Sequence, residues 1–143
     1  LSAQYGDNDI DLLVRGGVTP LDSTGGMVSV VRGITTRTRS GESEDTTWRE
    51  LSTVLIVDDV IPAIRESLRA RFRRAKNTEQ SRGAIRSQVV LELENKKSRE
   101  IITGYDGVTV TALPENPTVC LVEFAFTVAH GLNQIWLTAS ITI

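Results

Sequence analysis

The feature that most narrows the possible folds is a change of hydrophobic period near residue 104. Ahead of it, Val57, Ile61, Ile64, Leu68 and Phe72 recur at spacings of four, three, four and four, which places them on one stripe of a helix. Beyond it the pattern alternates: Val108, Val110, Ala112; then Cys120, Val122, Phe124, Phe126, Val128; then Ile135, Leu137, Ala139, Ile141, Ile143. Rows of period two mark strands with one buried face. Residues 104–143 carry no Lys or Arg, and turn residues at Pro114–Pro117 and His130–Asn133 divide them into three strands able to pair as an antiparallel meander. Three apolar rows need cover, and the amphipathic helices upstream can supply it. Each buried Val, Ile, Leu or Phe contributes roughly 1.5–3 kcal/mol, enough in sum to hold such a sheet to its helices. The predicted class is α+β in two layers, with two long helices packed on a mostly antiparallel sheet.

The helix boundaries follow from capping and proline. Pro62 costs about 3 kcal/mol inside a helix but is tolerated in a first turn. The first long helix is therefore predicted to start at Asp58 or Asp59, either of which can cap it, with VLIV before it extended or kinked. Asn77 and Gln80 have the spacing of a capping pair, and the second helix is expected from about Thr78 to Thr103, with Ile85, Val89 and Leu93 inward and Gly104 past its end. Near the start of the chain, Asp7, Asp9 and Asp11 precede Ile10–Val14, with Gly16-Gly17 beyond, the pattern of a short helix. A turn at Asp22–Gly26 leads into the β-branched run MVSVVRGITT, expected as a strand, and TRSGESED reads as an exposed loop.

A chain of 143 residues fits one domain. Its single cysteine, Cys120, cannot form an intrachain disulfide, which points to an intracellular or neutral-redox setting. No apolar run approaches the roughly 20 residues of a membrane span, and LSAQYGDNDI lacks the pattern of a signal peptide. The absent initiating Met suggests a piece of a longer protein, with the missing part ahead of Leu1. Catalytic chemistry is thin. His130 reads as a turn residue in HGLN, without a partner to orient it. Cys120 lies within an alternating apolar strand, unlike a reactive thiolate, and Asp58-Asp59 read as helix caps. The glycine pairs match neither dinucleotide nor P-loop spacing, and nothing has metal-ligand spacing. No enzyme, no cofactor and no metal site is expected.

What remains is charge. Arg65, Arg69, Arg71, Arg73, Arg74, Lys76, Arg82 and Arg86 stand against only Glu66 and Glu79 in that span, so it carries about +6 while the whole chain is −2. On a helical wheel Arg65, Arg69, Arg73 and Lys76 form a basic ridge beside the apolar stripe. The ridge reads either as a solvated face whose stems cover the core edge or as a docking face for an acidic partner. Stacking aromatics are absent from its vicinity, so a protein fits better than nucleic acid. A nucleic-acid-binding module using the same helix is the alternative function.

The order of pieces carries a further reading. RGGVTPL, then VVRGITTRT, then TWREL running into VDDVIPAIRESLRARF, a second long helix, and FTVAHGLNQIWLTASITI resembles the C-terminal domain of contractile-tail sheath proteins of myophages and phage-like tails. The resemblance extends over essentially all of the chain. It implies a structural protein of a virion or phage-like tail particle, assembled in the bacterial cytoplasm, whose copies stack as hexameric rings around an inner tube and contract to drive the tube through a host envelope. It implies as partners other copies of the chain, the tail tube protein, and the baseplate and tail terminator, with no nucleic acid and no membrane. The domain is expected next to the tube, which makes Arg65, Arg69, Arg73 and Lys76 candidates for gripping it. Sheath subunits also exchange terminal arms as strands, so Ile135, Leu137, Ala139 and Ile141 are candidates for pairing between subunits, or else form a strand of their own domain.

Overall fold

A computed structural model describes residues 3–132 and 137–140. Among them the chain forms three helices and three two-stranded antiparallel sheets, a mixed α+β arrangement, in two compact units.

The first unit spans Leu1–Ser52 and His130–Ile143. Helix α1 runs Asp7–Arg15, with Asp7 and Asp9 in its first turn and Gly16 at its C-cap, as its charge pattern predicted. Strands β1 (Leu21–Thr24) and β2 (Met27–Val30) pair around Gly25-Gly26, both in the left-handed region. The expected long strand thus stops at Val30. The loop reading of TRSGESED becomes a small hairpin, β3 (Arg39–Ser40) with β4 (Ser43–Glu44), turning at Gly41.

The sequence blocks of this unit are stitched together by backbone and hydroxyl bonds. Thr19 Oγ1 donates to the Ile34 carbonyl at 3.0 Å and accepts from its N–H at 2.9 Å. Thr35 N–H donates to the Arg49 carbonyl at 2.7 Å, and Leu51 N–H to that of Gly33 at 3.1 Å. Gly17, at φ +82°, sits so close to this segment that a Cβ would lie 3.1 Å from the Thr35 oxygen and from the Thr36 Cα. A side chain there meets both a backbone clash and an unfavourable φ.

The second unit spans Thr53–Ala129. Helix α2 covers Leu51–Phe72 and contains Pro62 in its interior, so the predicted start at Asp58 or Asp59 is wrong. Packing overrides the proline: Ile56, Val60, Ile64 and Leu68, four apart, lie in or against the core. Burying such residues at roughly 1.5–3 kcal/mol each outweighs a single proline of about 3 kcal/mol. The same face corrects the predicted stripe, since only Ile64 and Leu68 of that set belong to the core and Val57, Ile61 and Phe72 are half-buried beside it.

Helix α3 runs Glu79–Ser98. Its cap is Thr78, whose hydroxyl accepts from Ser81 N–H at 3.2 Å, while Asn77 donates to the carbonyl of Pro117 at 2.7 Å instead of capping. Val89 and Leu93 are fully buried and Ile85 packs against them, as the period predicted. The helix ends five residues before the predicted Thr103. Glu100 takes φ 58° and turns the chain so that Ile102, 1% exposed, enters the core as the first residue of β5 (Ile102–Leu113). A left-handed non-glycine residue costs roughly 1–2 kcal/mol, which burial of one isoleucine offsets. Strand β6 (Asn116–Val128) pairs with β5, and Cys120, Val122, Phe124, Phe126 and Val128 form its inner row. Val60, Ile64, Val89, Leu93, Ile102 and Val108 make one buried cluster drawn from α2, α3 and β5. Of the predicted third strand, Ile135, Ile141 and Ile143 lie outside the described residues, and 137–140 belong to no strand.

Candidate functional site

Within the second unit the basic segment divides into a set engaged in hydrogen bonds and an outward set. Arg82, Arg86, Val89 and Leu93 follow one another at four, three and four, so both arginines lie on the side of α3 that carries Val89 and Leu93, with Arg82 half-buried and Arg86 exposed. Arg86 Nε donates to the Val108 carbonyl on β5 at 3.1 Å, and Arg82 Nη1 to Asn77 Oδ1 at 3.0 Å. Arg71, exposed three residues after Leu68 on α2, donates to Oε1 of Gln88, a buried side chain on α3. Gln88 Nε2 in turn donates to Ser67 Oγ at 2.7 Å and Glu92 Oε1 at 3.1 Å. Arg71 and Arg86 join elements of the unit while staying exposed, and Arg82 bonds to the segment just ahead of its own helix. Charge groups the three together, whereas their hydrogen bonds set them apart from the ridge.

The outward set is the proposed ridge. Arg65 and Arg69 are exposed on α2, Arg73 follows in the turn after Phe72, and Lys76 lies in the segment leading to α3. The wheel continued the helix through Lys76. Because α2 ends at Phe72, only two ridge residues are helical, although all four are exposed. Arg69 Nη1 lies 3.7 Å from Glu66 Oε1, with 70% of its side chain exposed. Among the described residues Arg65, Arg73 and Lys76 have no ion-pair partner.

The candidates for strand exchange fare differently. Ile135 and Ile141 lie outside the described residues, and Leu137 and Ala139 are exposed, Leu137 to 91%. A second surface emerges in the first unit, where every residue of β1 and β2 is exposed. Leu21 pairs with Val30 and Ser23 with Val28, so three apolar side chains share one face of a hairpin that also has two open edges.

His130 is exposed, and Cys120 is half-buried in the inner row of β6. Asp59 caps no helix; its Oδ2 is 2.6 Å from Lys96 Nζ, a lysine buried at the inner face of α3. Asp45 sits below the usual carboxylate range because Thr47 donates backbone and side-chain hydrogen bonds to it, with Arg37 adding a smaller effect. Tyr105 is pushed above its ordinary value by its hydrogen bond to Glu94. Among the described residues no group of three or more His, Cys, Asp or Glu could hold a metal ion, and no helix is long and apolar enough to cross a membrane.

Solved structures share this fold. The chain is similar to the sheath tail protein of Listeria innocua, at 17% identity and a TM-score of 0.70, over 91% of this chain and 32% of that one. It is similar also to the sheath tail protein of Desulfitobacterium hafniense, at 13% identity and a TM-score of 0.66, over 89% of this chain and 33% of that one. The chain thus spans about a third of the length of either. No curated protein matches it. The family model of the phage tail sheath C-terminal domain matches residues 43–142, most of the sequence, and the chain belongs to that family.

Proposed function

We propose that the chain is the C-terminal, tube-proximal part of a longer sheath subunit, folding as a single domain that lays two helices on an antiparallel sheet. The subunit is structural and non-enzymatic. It stacks as hexameric rings around an inner tail tube and shortens to drive that tube through a host envelope. The observation that carries the self-assembly is the β1–β2 hairpin, exposed along its full length with Leu21, Val28 and Val30 on one face. Two strands alone are marginal in water, and an added strand from a neighbouring copy would complete the sheet by main-chain hydrogen bonds. The segment holding Ile135, Leu137, Ala139 and Ile141 has the β-branched content and lack of charge suited to that role.

The ridge supplies the grip on the tube. Arg65, Arg69, Arg73 and Lys76 present cations that face an acidic partner. Exposed pairs contribute about 0–1 kcal/mol each, so many repeated around a ring hold together and release together. The ends of such a stack meet the baseplate and the tail terminator, and the particle is a virion or phage-like tail assembled in the bacterial cytoplasm.

Negative-stain microscopy of the full-length parent, expressed alone and with its tube protein, tests this reading. Striated cylinders are expected, and particles dispersed under all conditions would refute it. Strongly salt-sensitive binding to duplex or single strands, together with dispersed particles, would favour the nucleic-acid module instead.

A further inference from the structure

The first unit holds a second convergence of arginines, remote in sequence from the ridge. Arg15 from α1, Arg32 just after β2, Arg39 from β3 and Arg49 line one cleft of about 590 Å³, together with Asp11 and Glu44. Three of the four guanidiniums have an acid partner. Arg15 Nε lies 3.0 Å from Asp11 Oδ2, Arg32 Nε donates to Glu50 Oε1 at 2.8 Å, and Arg49 Nη2 pairs with Glu44. Arg39 has no acid partner among the described residues. Arg49, with its side chain only 16% exposed, keeps a buried Nε–H that finds no acceptor among the described residues. Even with Glu50, which pairs with Arg32 without lining the cleft, four cations against three carboxylates leave one positive charge in excess, a free guanidinium fork and an orphaned donor.

A planar fork of N–H groups is suited to two oxygens of one anion. The cleft has the volume of a small-ligand site. We infer that it binds an oxyanion, a phosphate or carboxylate group, with Arg39 as the fork that receives it. That chemistry can come from a dissolved anion or from an acidic side chain of a second copy of this chain. The inference stands apart from the sheath reading, since neither the ridge nor the exposed hairpin enters it.

The test follows guanidinium Nε–H signals of the 15N-labelled chain by NMR. Sodium phosphate and then sodium malonate are titrated in, with sodium chloride holding ionic strength constant. The Arg39 signal is expected to shift to saturation with at least one of the two anions while those of Arg65 and Arg69 stay in place. The Arg15 and Arg49 signals, from the same cleft, should saturate with it, and their saturation should disappear in Arg39→Gln, whose unchanged backbone amide spectrum certifies the fold. Equal shifts with chloride alone, or undiminished saturation of the Arg15 and Arg49 signals in Arg39→Gln, would overturn the proposal. Sedimentation separates the two sources. Self-association that phosphate or malonate reverses and Arg39→Gln abolishes assigns the site to an acidic side chain of a second copy. A sedimentation coefficient independent of concentration, alongside saturable binding, assigns it to a dissolved anion.

Discussion

Reversing two ridge charges, Arg69→Glu with Arg73→Glu, should leave the fold standing and remove the grip on the tube. The cost to the fold can be worked out position by position. Arg69 forfeits an exposed pair with Glu66 at 3.7 Å, a loss of about 0.3–0.5 kcal/mol. Glutamate there lies in the last turn of α2 and opposes the helix dipole by about 0.3–1 kcal/mol. It also stands three residues from Glu66, a repulsion of about 0.2–0.5 kcal/mol. Arg73 is exposed, beyond the helix and without an ion pair, so its reversal should stay within about 0.5 kcal/mol. The sum of about 1–2.5 kcal/mol is small against the 5–15 kcal/mol typical of a folded domain. On the tube side, each reversal exchanges an attraction of up to about 1 kcal/mol for a comparable repulsion, up to about 4 kcal/mol per subunit for the pair. That is up to about three orders of magnitude in affinity before multiplication around a ring. Circular dichroism of the variant should therefore show native helix content with a melting temperature lower by a few degrees, while co-sedimentation of the full-length protein with tubes fails. A folded variant that pellets with tubes like the wild type would refute the ridge as the contact.

Three further outcomes test the energetics of the fold. Pro62→Ala should stabilise the second unit by about 1–3 kcal/mol in urea denaturation, because an interior alanine restores the N–H bond to the Asp58 carbonyl; a change below about 0.5 kcal/mol would place the helix start near Asp58 after all. Asp59→Ala should destabilise by about 1–3 kcal/mol, since it leaves the buried Lys96 ammonium without its carboxylate. Lys96→Met keeps the packed stem and leaves only a half-exposed acid behind, so its effect should be smaller; the reverse order would contradict this account. Asp45 is depressed below its ordinary value of 3.8 by the Thr47 hydrogen bonds, so its contribution is complete above about pH 4 and is lost as pH falls through the depressed value. The stability advantage of wild type over Asp45→Ala should shrink in that acid window, and an advantage unchanged down to pH 2 would dismiss the assignment.

The parts of the fold legible in the sequence are those where one local pattern acts alone. Asp7 and Asp9 ahead of an apolar run with Gly16 behind it specify α1 from within, and the row from Cys120 to Val128 specifies the inner face of β6. Boundaries were lost wherever burial outweighed a local preference. Pro62 argues for a late helix start, but Ile56 and Val60 belong to the core and draw the helix back to Leu51. Thr103-Gly104 reads as a helix end, but Ile102 is needed in the core as a strand residue, and the chain turns at Glu100 instead. The sheet rows gave no indication of the exposed β1–β2 hairpin, because MVSVVRGITT has the composition of a buried strand whether or not anything covers it. Of the ridge, identity and exposure were legible, whereas the helical geometry of Lys76 was not.

The placement of the ridge would let one segment serve both the fold and the proposed partner. Cations at the C-terminal end of a helix are favoured by its dipole, and Arg65, Arg69 and Arg73 occupy the last turns of α2 and the turn beyond it. Their presence therefore helps the helix in the absence of any partner. Arg71, Arg82 and Arg86 instead donate to a buried glutamine, an asparagine and a strand carbonyl, and neutralising them would remove those bonds within the unit. The outward residues carry no such duty. Only the exposed Arg69–Glu66 contact competes with an incoming acidic surface, so docking displaces almost nothing that the folded chain relies on. Undocking is equally uncoupled from unfolding. A surface attached by charges the fold does not need can be bound and released while the core cluster stays intact, which is what the proposed grip on a tube requires.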